Sequence, residues 1–311
     1  MITMPGIIAW EITRRCNLYC RHCRGASTAT HHANELTTEA VFKTIAAITR
    51  VAHPMIILTG GEPLLRDDIF DIAKNASQHG CRVVMATCGH LLTPPIAVKL
   101  KSSGVMAVSI SLDATTAAAH DAFRGVPGAY EASLKGIRCL RATGLPVQIN
   151  TTVSKLNVED LPRLLDQAAA LGAAAIDFFF LVPTGRGQAI ADLVLDAEAR
   201  DKALCWIAEQ ENTRPLRIKV TCAPQYNSIR QSVPTDRPSP QGHGCMGGRG
   251  FAFLSHTGIL QPCGFLDTPC GDIRSVNYDF PRLVRESSVF QNLQSRDPFS
   301  ECLARARQSR H

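Results

Sequence analysis

The sequence predicts an α/β fold of six β/α units, followed by a small cysteine-rich C-terminal extension. Three observations predict this fold. Short β-branched runs alternate with amphipathic helical stretches from about residue 5 to 183. Nearly continuous apolar runs such as Met55–Leu58 suit burial on both faces of a parallel sheet. Beyond Gly185 the pattern changes, and residues 242–274 are rich in Gly and Cys but have little apolar mass.

The predicted strands are Ile7–Glu11, Met55–Thr59, Arg82–Ala86, Val105–Leu112, Val147–Val153 and Ile176–Leu181. The helices predicted between them are Thr38–Val51, Asp67–Gln78, Pro94–Ser103, Tyr130–Thr143 and Glu159–Leu171. Periodicity is compatible with both an open sheet and a partly closed barrel. In both architectures the chemistry gathers at the carboxyl ends of the strands, so we expect the site there.

The chain divides into three predicted regions. Residues 1–190 form the core domain, and residues 191–240 form a helical connection and linker. That connection contains a helix near Asp196–Glu211, a strand at Leu216–Val220 and the proline-punctuated stretch Ser232–Pro240. Residues 241–311 form the C-terminal extension, and so small a segment would gain from a metal staple.

Composition narrows the class of protein. The chain has 311 residues, of which 45% are apolar and 19% charged, so it is not a disordered protein. No uninterrupted apolar run is long enough to span a membrane, and the N-terminus lacks the pattern of a signal peptide. We therefore expect a cytoplasmic protein with no membrane association. The net charge of +6 includes no long Lys/Arg block, and we expect no nucleic-acid partner. In a reducing compartment, the 12 cysteines point to metal ligation or redox chemistry.

Three cysteines directly follow the first predicted strand. Cys16, Cys20 and Cys23 form a C-x3-C-x2-C pattern, close enough for one loop to wrap them around an iron–sulfur cube. Three protein ligands for a four-iron cluster leave one iron open, as a reaction centre requires. The alternative is a zinc site, but zinc loops generally use C-x2-C pairs and need a fourth ligand nearby.

This loop resembles the signature of the radical S-adenosylmethionine (SAM) superfamily, in which an aromatic residue or His precedes the last Cys, as His22 does here. Thr59-Gly-Gly-Glu-Pro63 resembles the family's "GGEP" segment, although alone it would be just a turn. The resemblance implies a partial (β/α)6 TIM-like barrel, a [4Fe-4S] cluster and SAM. It also implies reductive cleavage of SAM to methionine and a 5′-deoxyadenosyl radical, which abstracts a substrate hydrogen.

The same resemblance implies a set of SAM contacts at the strand ends. In the family, the segment like Gly60–Pro63 contacts the SAM amino group. Ser111 and Asp113 correspond to residues near the SAM ribose or carboxylate, and Asn150 corresponds to one near the ribose. The segment that begins at Leu181 resembles the one that packs against adenine. The alternative for the strand-end residues is a capping role. The cofactor-binding residues implied are Gly60, Gly61, Glu62, Pro63, Ser111, Asp113, Asn150 and Pro183.

The C-terminal cysteines resemble the SPASM or twitch extension, whose hairpin holds an auxiliary iron–sulfur cluster. A hairpin with Thr257-Gly258 at its turn would bring the thiols of Cys245 and Cys263, which flank it, together. The alternative is a hairpin with incidental cysteines. The further C-x2-C-x5-C-x3-C run of a full SPASM extension is absent, so the extension is a shortened one. The ligands expected for one auxiliary cluster are Cys222, Cys245, Cys263 and Cys302, with Cys270 in reserve.

The substrate is expected to be an iron tetrapyrrole. Within the superfamily, segments such as Lys219–Pro224 and Ser255–Phe265 most resemble enzymes of the alternative haem and haem d1 pathways, including the didecarboxysirohaem deacetylase type. Such an enzyme would replace or remove acetate or propionate side chains, and an electron donor such as ferredoxin or flavodoxin would reduce it. Arg186 and Arg249 are candidates for pairing with substrate carboxylates. His256 is a candidate axial ligand to the tetrapyrrole iron or a solvated turn residue.

Two other functions remain open from the sequence, and no residue is assigned as catalytic. One is maturation of a ribosomally made peptide, which the absence of a segment before the first strand disfavours. The other is a non-catalytic iron–sulfur scaffold or electron-transfer protein, which the SAM-contact segments disfavour. The shortened extension also allows a diverged relative with altered activity.

Overall fold

The computed structural model describes residues 2–211, 213–214, 216–234, 244–296 and 302–308. The strands within this part of the chain are β1 Ile7–Thr13, β2 Met55–Gly60, β3 Arg82–Thr87, β4 Val105–Ser111, β5 Val147–Val153, β6 Ala175–Phe180, β7 Arg217–Thr221, β8 Phe251–Leu254 and β9 Leu260–Gln261. They form one sheet in the order β7-β6-β5-β4-β3-β2-β1-β8-β9.

The first six strands confirm the predicted α/β core. Each pairs in parallel with its neighbour, and β7 extends the series beside β6. At the other end, β8 pairs in parallel with β1, and β9 turns back antiparallel to β8. The C-terminal hairpin therefore continues the core sheet, and the sheet remains unclosed.

The helices of the described residues are α1 Thr38–Thr49, α2 Ile69–Gln78, α3 Pro94–Ser102, α4 Ala117–Arg124, α5 Ala129–Ala142, α6 Leu161–Ala170, α7 Ala197–Gln210, α8 Tyr226–Ser232, α9 Phe280–Glu286, α10 Ser288–Ser295 and α11 Leu303–Gln308. Helices that connect the core strands, such as α2, α3, α5 and α6, pack against one face of the sheet. Strand side chains on the helical face, such as Ile56 and Leu58, are fully buried in the main core. The alternate side chains of the same strand, Met55 and Ile57, are only partly buried. The opposite face is therefore the inner face, which lines the partial barrel.

The inner face carries polar side chains on the strands from β4 to β7. Ser111 on β4 lies opposite Asn150 on β5, Asn150 lies opposite Asp177 on β6, and Asp177 lies opposite Lys219 on β7. Four polar side chains thus form one row across four strands, which we call the polar row. A row of this kind suits a polar ligand better than it suits packing.

The two edges of the sheet approach each other because the sheet curls. Cys222 follows β7 at one edge and Cys263 follows β9 at the other, yet both belong to one packed cluster. Tilted strands of a barrel meet in this staggered way. Among the described residues, no helix is long and apolar enough to cross a membrane. The three-region division stays a prediction, and its 240/241 boundary lies outside the described residues.

Candidate active site

The thiols of Cys16, Cys20 and Cys23 come together in the loop that follows β1, which we call the cluster loop. Cys16 and Cys20 are buried, Cys23 is partly buried, and all three belong to one packed cluster. The loop is closed at its base, where the Cys16 amide donates to the Thr28 carbonyl at 2.7 Å. Sequence spacing and this closure together bring the motif's thiols to one place.

Each of these sulfurs accepts a hydrogen bond from a nitrogen donor. The Leu18 amide donates to Cys16 Sγ at 3.4 Å, and the Ser27 amide donates to Cys23 Sγ at 3.4 Å. Arg124 Nη1 donates to Cys20 Sγ at 3.7 Å. Such donors stabilise thiolates that ligate iron, so the chemistry of the loop fits an iron–sulfur cluster.

Burial raises the pKa of Cys16 and of Cys20, so these two thiols form thiolates poorly unless a cation is present. Burial raises the pKa of Cys16 to about 12, with the nearby Glu62 carboxylate and the other two thiols acting in the same direction. A metal centre supplies the positive charge that deprotonates such thiols. Within the described ranges, no three His, Cys, Asp or Glu side chains are close enough to hold a single metal ion.

The Gly60-Gly61 pair lies directly against the start of the cluster loop. The Gly61 amide donates to the Thr13 carbonyl and the Glu62 amide to the Arg15 carbonyl, both at 2.8 Å. A Cβ on Gly61 would lie 2.3 Å from the Arg15 carbonyl oxygen. Gly60 has a φ of +146°, and its Cβ would lie 2.1 Å from the Thr13 carbonyl oxygen. Both positions require glycine because backbone approaches backbone there.

Glu62 is fully buried next to the cluster loop, and Pro63 begins a short 3₁₀ turn after it. The Glu62 carboxylate accepts hydrogen bonds from Thr87 Oγ1 and from the Cys88 amide, each at 2.8 Å, and from the Leu64 amide at 3.0 Å. These bonds fix the ends of β2 and β3 relative to each other. Contact between Glu62 and the SAM amino group stays a prediction.

Asp113 lies just beyond β4 and is only 2% exposed. Its Oδ2 accepts from Nε and Nη2 of Arg124, each at 2.6 Å, and its Oδ1 accepts from the Thr152 amide at 2.8 Å. Ser111 and Asn150, in contrast, are partly exposed in the polar row. The protein therefore already occupies the Asp113 carboxylate, while the other two predicted contacts remain accessible.

The polar row is linked by hydrogen bonds. Gln148 Nε2 donates to Asn150 Oδ1 at 2.7 Å, and Lys219 Nζ donates to Gln148 Oε1 at 3.2 Å. The Lys219 ammonium also pairs with the buried Asp177 carboxylate at 3.1 Å. The row thus holds a partly exposed cation in a fixed position.

Residues after β6 pack against the cluster loop. A Cβ on Gly185, whose φ is +56°, would lie 2.2 Å from the Arg24 carbonyl oxygen. Arg186 donates from Nε to the Cys20 carbonyl at 2.9 Å and from Nη1 to the Ser27 carbonyl at 2.7 Å. Pro183, the predicted adenine neighbour, is partly buried at the start of this segment. The Arg186 guanidinium therefore secures the loop backbone, and its pairing with a substrate carboxylate stays a prediction.

A second group of thiols lies where the two edges of the sheet approach each other. It consists of Cys222, Cys245, Cys263 and Cys302, and we call it the seam cluster. Buried Cys302 packs with Cys222 and Cys263, and a hydrogen bond with Cys302, together with burial, raises the pKa of Cys222. Burial raises the pKa of Cys263 to about 12, with Cys302 and Cys245 nearby. The Cβ position of Gly247 is 3.7 Å from Cys245 Sγ and 3.5 Å from Cys263 Cβ. All four predicted auxiliary ligands are thus neighbours.

Comparison with known proteins identifies the family. The model of the radical SAM superfamily matches residues 10–168, which include the cluster loop, Gly60–Pro63 and the first half of the polar row. The chain belongs to the radical SAM superfamily. It is therefore a SAM-dependent enzyme of the kind that uses a [4Fe-4S] cluster and SAM.

Relatives of this radical SAM enzyme extend the match beyond the core. It is 44% identical to the AdoMet-dependent heme synthase of Methanosarcina barkeri (strain Fusaro / DSM 804), over 96% of this chain and 86% of the relative. It is 40% identical to a protein of the same name from Nitratidesulfovibrio vulgaris (strain Hildenborough), over 94% and 82%. Its fold resembles Streptococcus suis SuiB bound to S-adenosylmethionine, with a TM-score of 0.74 and 14% identity, over 94% and 68%.

The radical SAM core also contains functional candidates that sequence reasoning missed or misread. Arg124 was not predicted because no motif quoted for the family includes it, and the helix that carries it was missed. His256 is buried, and its Nδ1 lies 2.8 Å from the Glu11 carboxylate, so it is not a solvated turn residue. Arg249, the other candidate for pairing with substrate carboxylates, donates from Nη2 to the Arg296 carbonyl.

Proposed function

We propose that this radical SAM enzyme modifies the acetate or propionate side chains of an iron tetrapyrrole in haem biosynthesis. The observation that carries the proposal is the near full-length similarity to proteins named AdoMet-dependent heme synthase. That similarity covers 96% and 94% of this chain, so it extends well beyond the radical SAM core. A chain related only through its radical SAM core would leave the substrate unrestricted.

We infer that Cys16, Cys20 and Cys23 ligate the SAM cluster. The three nitrogen donors to their sulfurs support this assignment. When bound, the cluster supplies the electron for SAM cleavage. The residues of the chain bind and orient SAM: Gly60–Pro63 at its amino group, Ser111 near its ribose or carboxylate, Asn150 near its ribose, and Pro183 near its adenine. The Asp113 carboxylate is engaged by Arg124 and the Thr152 amide instead. A one-electron donor such as ferredoxin or flavodoxin would deliver the electron from outside, and the cytoplasmic location stays a prediction.

We propose that the seam cluster holds an auxiliary iron–sulfur cluster through Cys222, Cys245, Cys263 and Cys302. The contacts among these thiols support it. The reserve candidate, Cys270, lies apart from them, since it packs against the main core and its thiol donates to the Thr268 carbonyl at 3.4 Å. Ligands from both sheet edges would make the auxiliary cluster a staple across the opening of the barrel.

Iron counting tests the auxiliary cluster. We expect about eight iron atoms per reconstituted chain, falling to about four in Cys222→Ala and staying at about eight in the matched control Cys270→Ala. About four iron atoms in the unmodified protein would refute the auxiliary cluster. Loss of iron in Cys270→Ala with retention in Cys222→Ala would refute the ligand set.

We propose Lys219 as the residue that pairs with a substrate carboxylate. Arg186 donates to backbone carbonyls, whereas Lys219 is partly exposed on the inner face and is held there by the buried Asp177. An ammonium fixed in this way binds a carboxylate with little loss of side-chain entropy. A tetrapyrrole with several carboxylates suits such a site better than an uncharged substrate does.

The substrate class can be tested directly by mass spectrometry. Anaerobic incubations of the reduced enzyme with SAM would be offered didecarboxysirohaem, a coproporphyrin-type iron complex and candidate peptides in parallel. We expect a loss of side-chain mass from one iron tetrapyrrole and an unchanged mass for the peptides. A modified peptide would favour the maturase alternative. Absence of 5′-deoxyadenosine from a fully loaded protein would favour the electron-transfer alternative.

A further inference from the structure

The end of helix α4 is clamped to the cluster loop. The Tyr19 amide donates to the Arg124 carbonyl at 3.1 Å, and the Arg21 amide donates to the Phe123 carbonyl at 3.0 Å. The His22 ring stacks on Phe123 with ring centroids 4.3 Å apart. These contacts fix the segment around Cys20 without any help from the Arg124 side chain.

The Arg124 side chain is directed at the Cys20 sulfur by Asp113. Its Nη1 donates to Cys20 Sγ at 3.7 Å, while Nε and Nη2 both donate to Asp113 Oδ2 at 2.6 Å. Asp113 is anchored in turn, because it accepts from the Thr152 amide and its own carbonyl accepts from Asn157. The Arg124 side chain is 9% exposed, so little water screens its charge.

Cys20 differs from the other two cluster thiols in the kind of donor it receives. Cys16 and Cys23 accept from backbone amides, which carry no net charge and are the same for most side chains. Cys20 accepts from a cation whose position depends on one carboxylate. A charged donor at a ligand sulfur stabilises the more negative, reduced state of an iron–sulfur cluster.

We propose that the Asp113–Arg124 pair sets the reduction potential of the SAM cluster through the Cys20 sulfur. Arg124 is a positioning residue that makes the cluster easier to reduce, and Asp113 limits that effect with its opposite charge. The proposal rests on the proposed function in one respect, namely that Cys20 is a cluster ligand. It does not depend on the identity of the substrate.

The two partners of the pair should therefore shift the potential in opposite directions. In Arg124→Met, loss of the cation should lower the equilibrium constant for one-electron reduction by about tenfold, which is about 59 mV more negative. In Asp113→Asn, the guanidinium loses its counter-charge, so the potential should become more positive. A purely structural pair would give shifts of the same sign or none.

The measurement is a redox titration of the reconstituted enzyme followed by electron paramagnetic resonance. The SAM cluster is identified as the signal that changes when SAM is added. Arg230→Met is the matched control, because Arg230 on α8 forms a buried ion pair at 2.5 Å with Glu211 at the end of α7. Its potential should equal that of the unmodified protein.

Outcomes other than opposite shifts overturn the proposal. Equal potentials in Arg124→Met and the control, with iron retained, would refute it, and so would shifts of the same sign in the two variants. If Arg124→Met fails to fold, Arg124→Lys keeps the charge with a weaker hold on Asp113 and should give a smaller negative shift. Cys20→Ala should abolish the SAM-responsive signal; if the signal persists, the ligand assignment of the proposed function fails and this proposal fails with it.

Discussion

Substitution of Gly61 by alanine tests how the GGEP segment is held against the cluster loop. The added Cβ would lie 2.3 Å from the Arg15 carbonyl oxygen and 2.7 Å from the Arg14 carbonyl oxygen. Both obstacles are backbone atoms, so the segment itself must move. That movement breaks the two 2.8 Å hydrogen bonds from the Gly61 and Glu62 amides. Two lost hydrogen bonds and the overpacking together cost about 3 to 5 kcal/mol.

The assay is urea unfolding of the anaerobically purified protein, followed by far-ultraviolet circular dichroism, with iron content measured in parallel. Gly6→Ala is the matched control, because its Cβ would lie 3.9 Å from the Gly250 carbonyl oxygen near the start of β1. The control should change the free energy of unfolding by less than about 0.5 kcal/mol. If Gly61→Ala is as stable as Gly6→Ala and holds the same iron, the argument from close backbone contact is wrong.

Two further predictions concern pH and substrate binding. Burial lowers the pKa of His120 to about 4, so the unfolded chain binds more protons than the native one between pH 4 and 6.5. The free energy of unfolding should therefore fall on acidification, by about 2 kcal/mol from pH 7 to pH 5 for this group. His120→Gln should reduce that loss. Urea unfolding at the two pH values that gives the same loss in His120→Gln as in the unmodified protein would contradict this prediction. Lys219→Met should weaken tetrapyrrole binding by about tenfold or more in a spectroscopic titration, whereas Lys202→Met should not; equal affinities would exclude the carboxylate contact.

The sequence predicted the six core strands well because apolar periodicity is a local property. It missed α4, whose residues Ala117–Arg124 carry little apolar mass. That helix is stabilised by tertiary contacts of Phe123 and Arg124 with the cluster loop. Its local signals were the Thr116 side chain, which caps the first turn, and Gly125 in the left-handed region at the end.

Long-range features were harder to predict. Periodicity cannot indicate that β8 pairs with β1, because pairing depends on contacts across the whole chain. The burial of His256 follows from that pairing, since the hairpin turn comes to rest beside Glu11. Cys205 is exposed on α7, although a free cysteine is most often buried.

Residue chemistry was predicted better than residue roles. The four cysteines named for the auxiliary cluster are neighbours in the structure. The hairpin brings Cys245 and Cys263 together, and the approach of the two sheet edges adds Cys222. For Arg186, charge alone did not indicate that its guanidinium also donates to backbone carbonyls of the cluster loop, and its pairing with a substrate carboxylate stays a prediction. The ion pair of Asp113 with Arg124 was not predicted either, because Arg124 lies on the helix that was missed.

Deuterium transfer tests whether the enzyme removes a hydrogen atom from a tetrapyrrole side chain. The reduced enzyme would be incubated with SAM and, in separate reactions, didecarboxysirohaem deuterated on its acetate side chains and a coproporphyrin-type iron complex deuterated on its propionate side chains. The 5′-deoxyadenosine would be analysed by mass spectrometry. We expect deuterium in the 5′-deoxyadenosine from one of the two reactions, together with a loss of side-chain mass from that tetrapyrrole. Unlabelled 5′-deoxyadenosine and an unchanged tetrapyrrole in both reactions would contradict the proposed function.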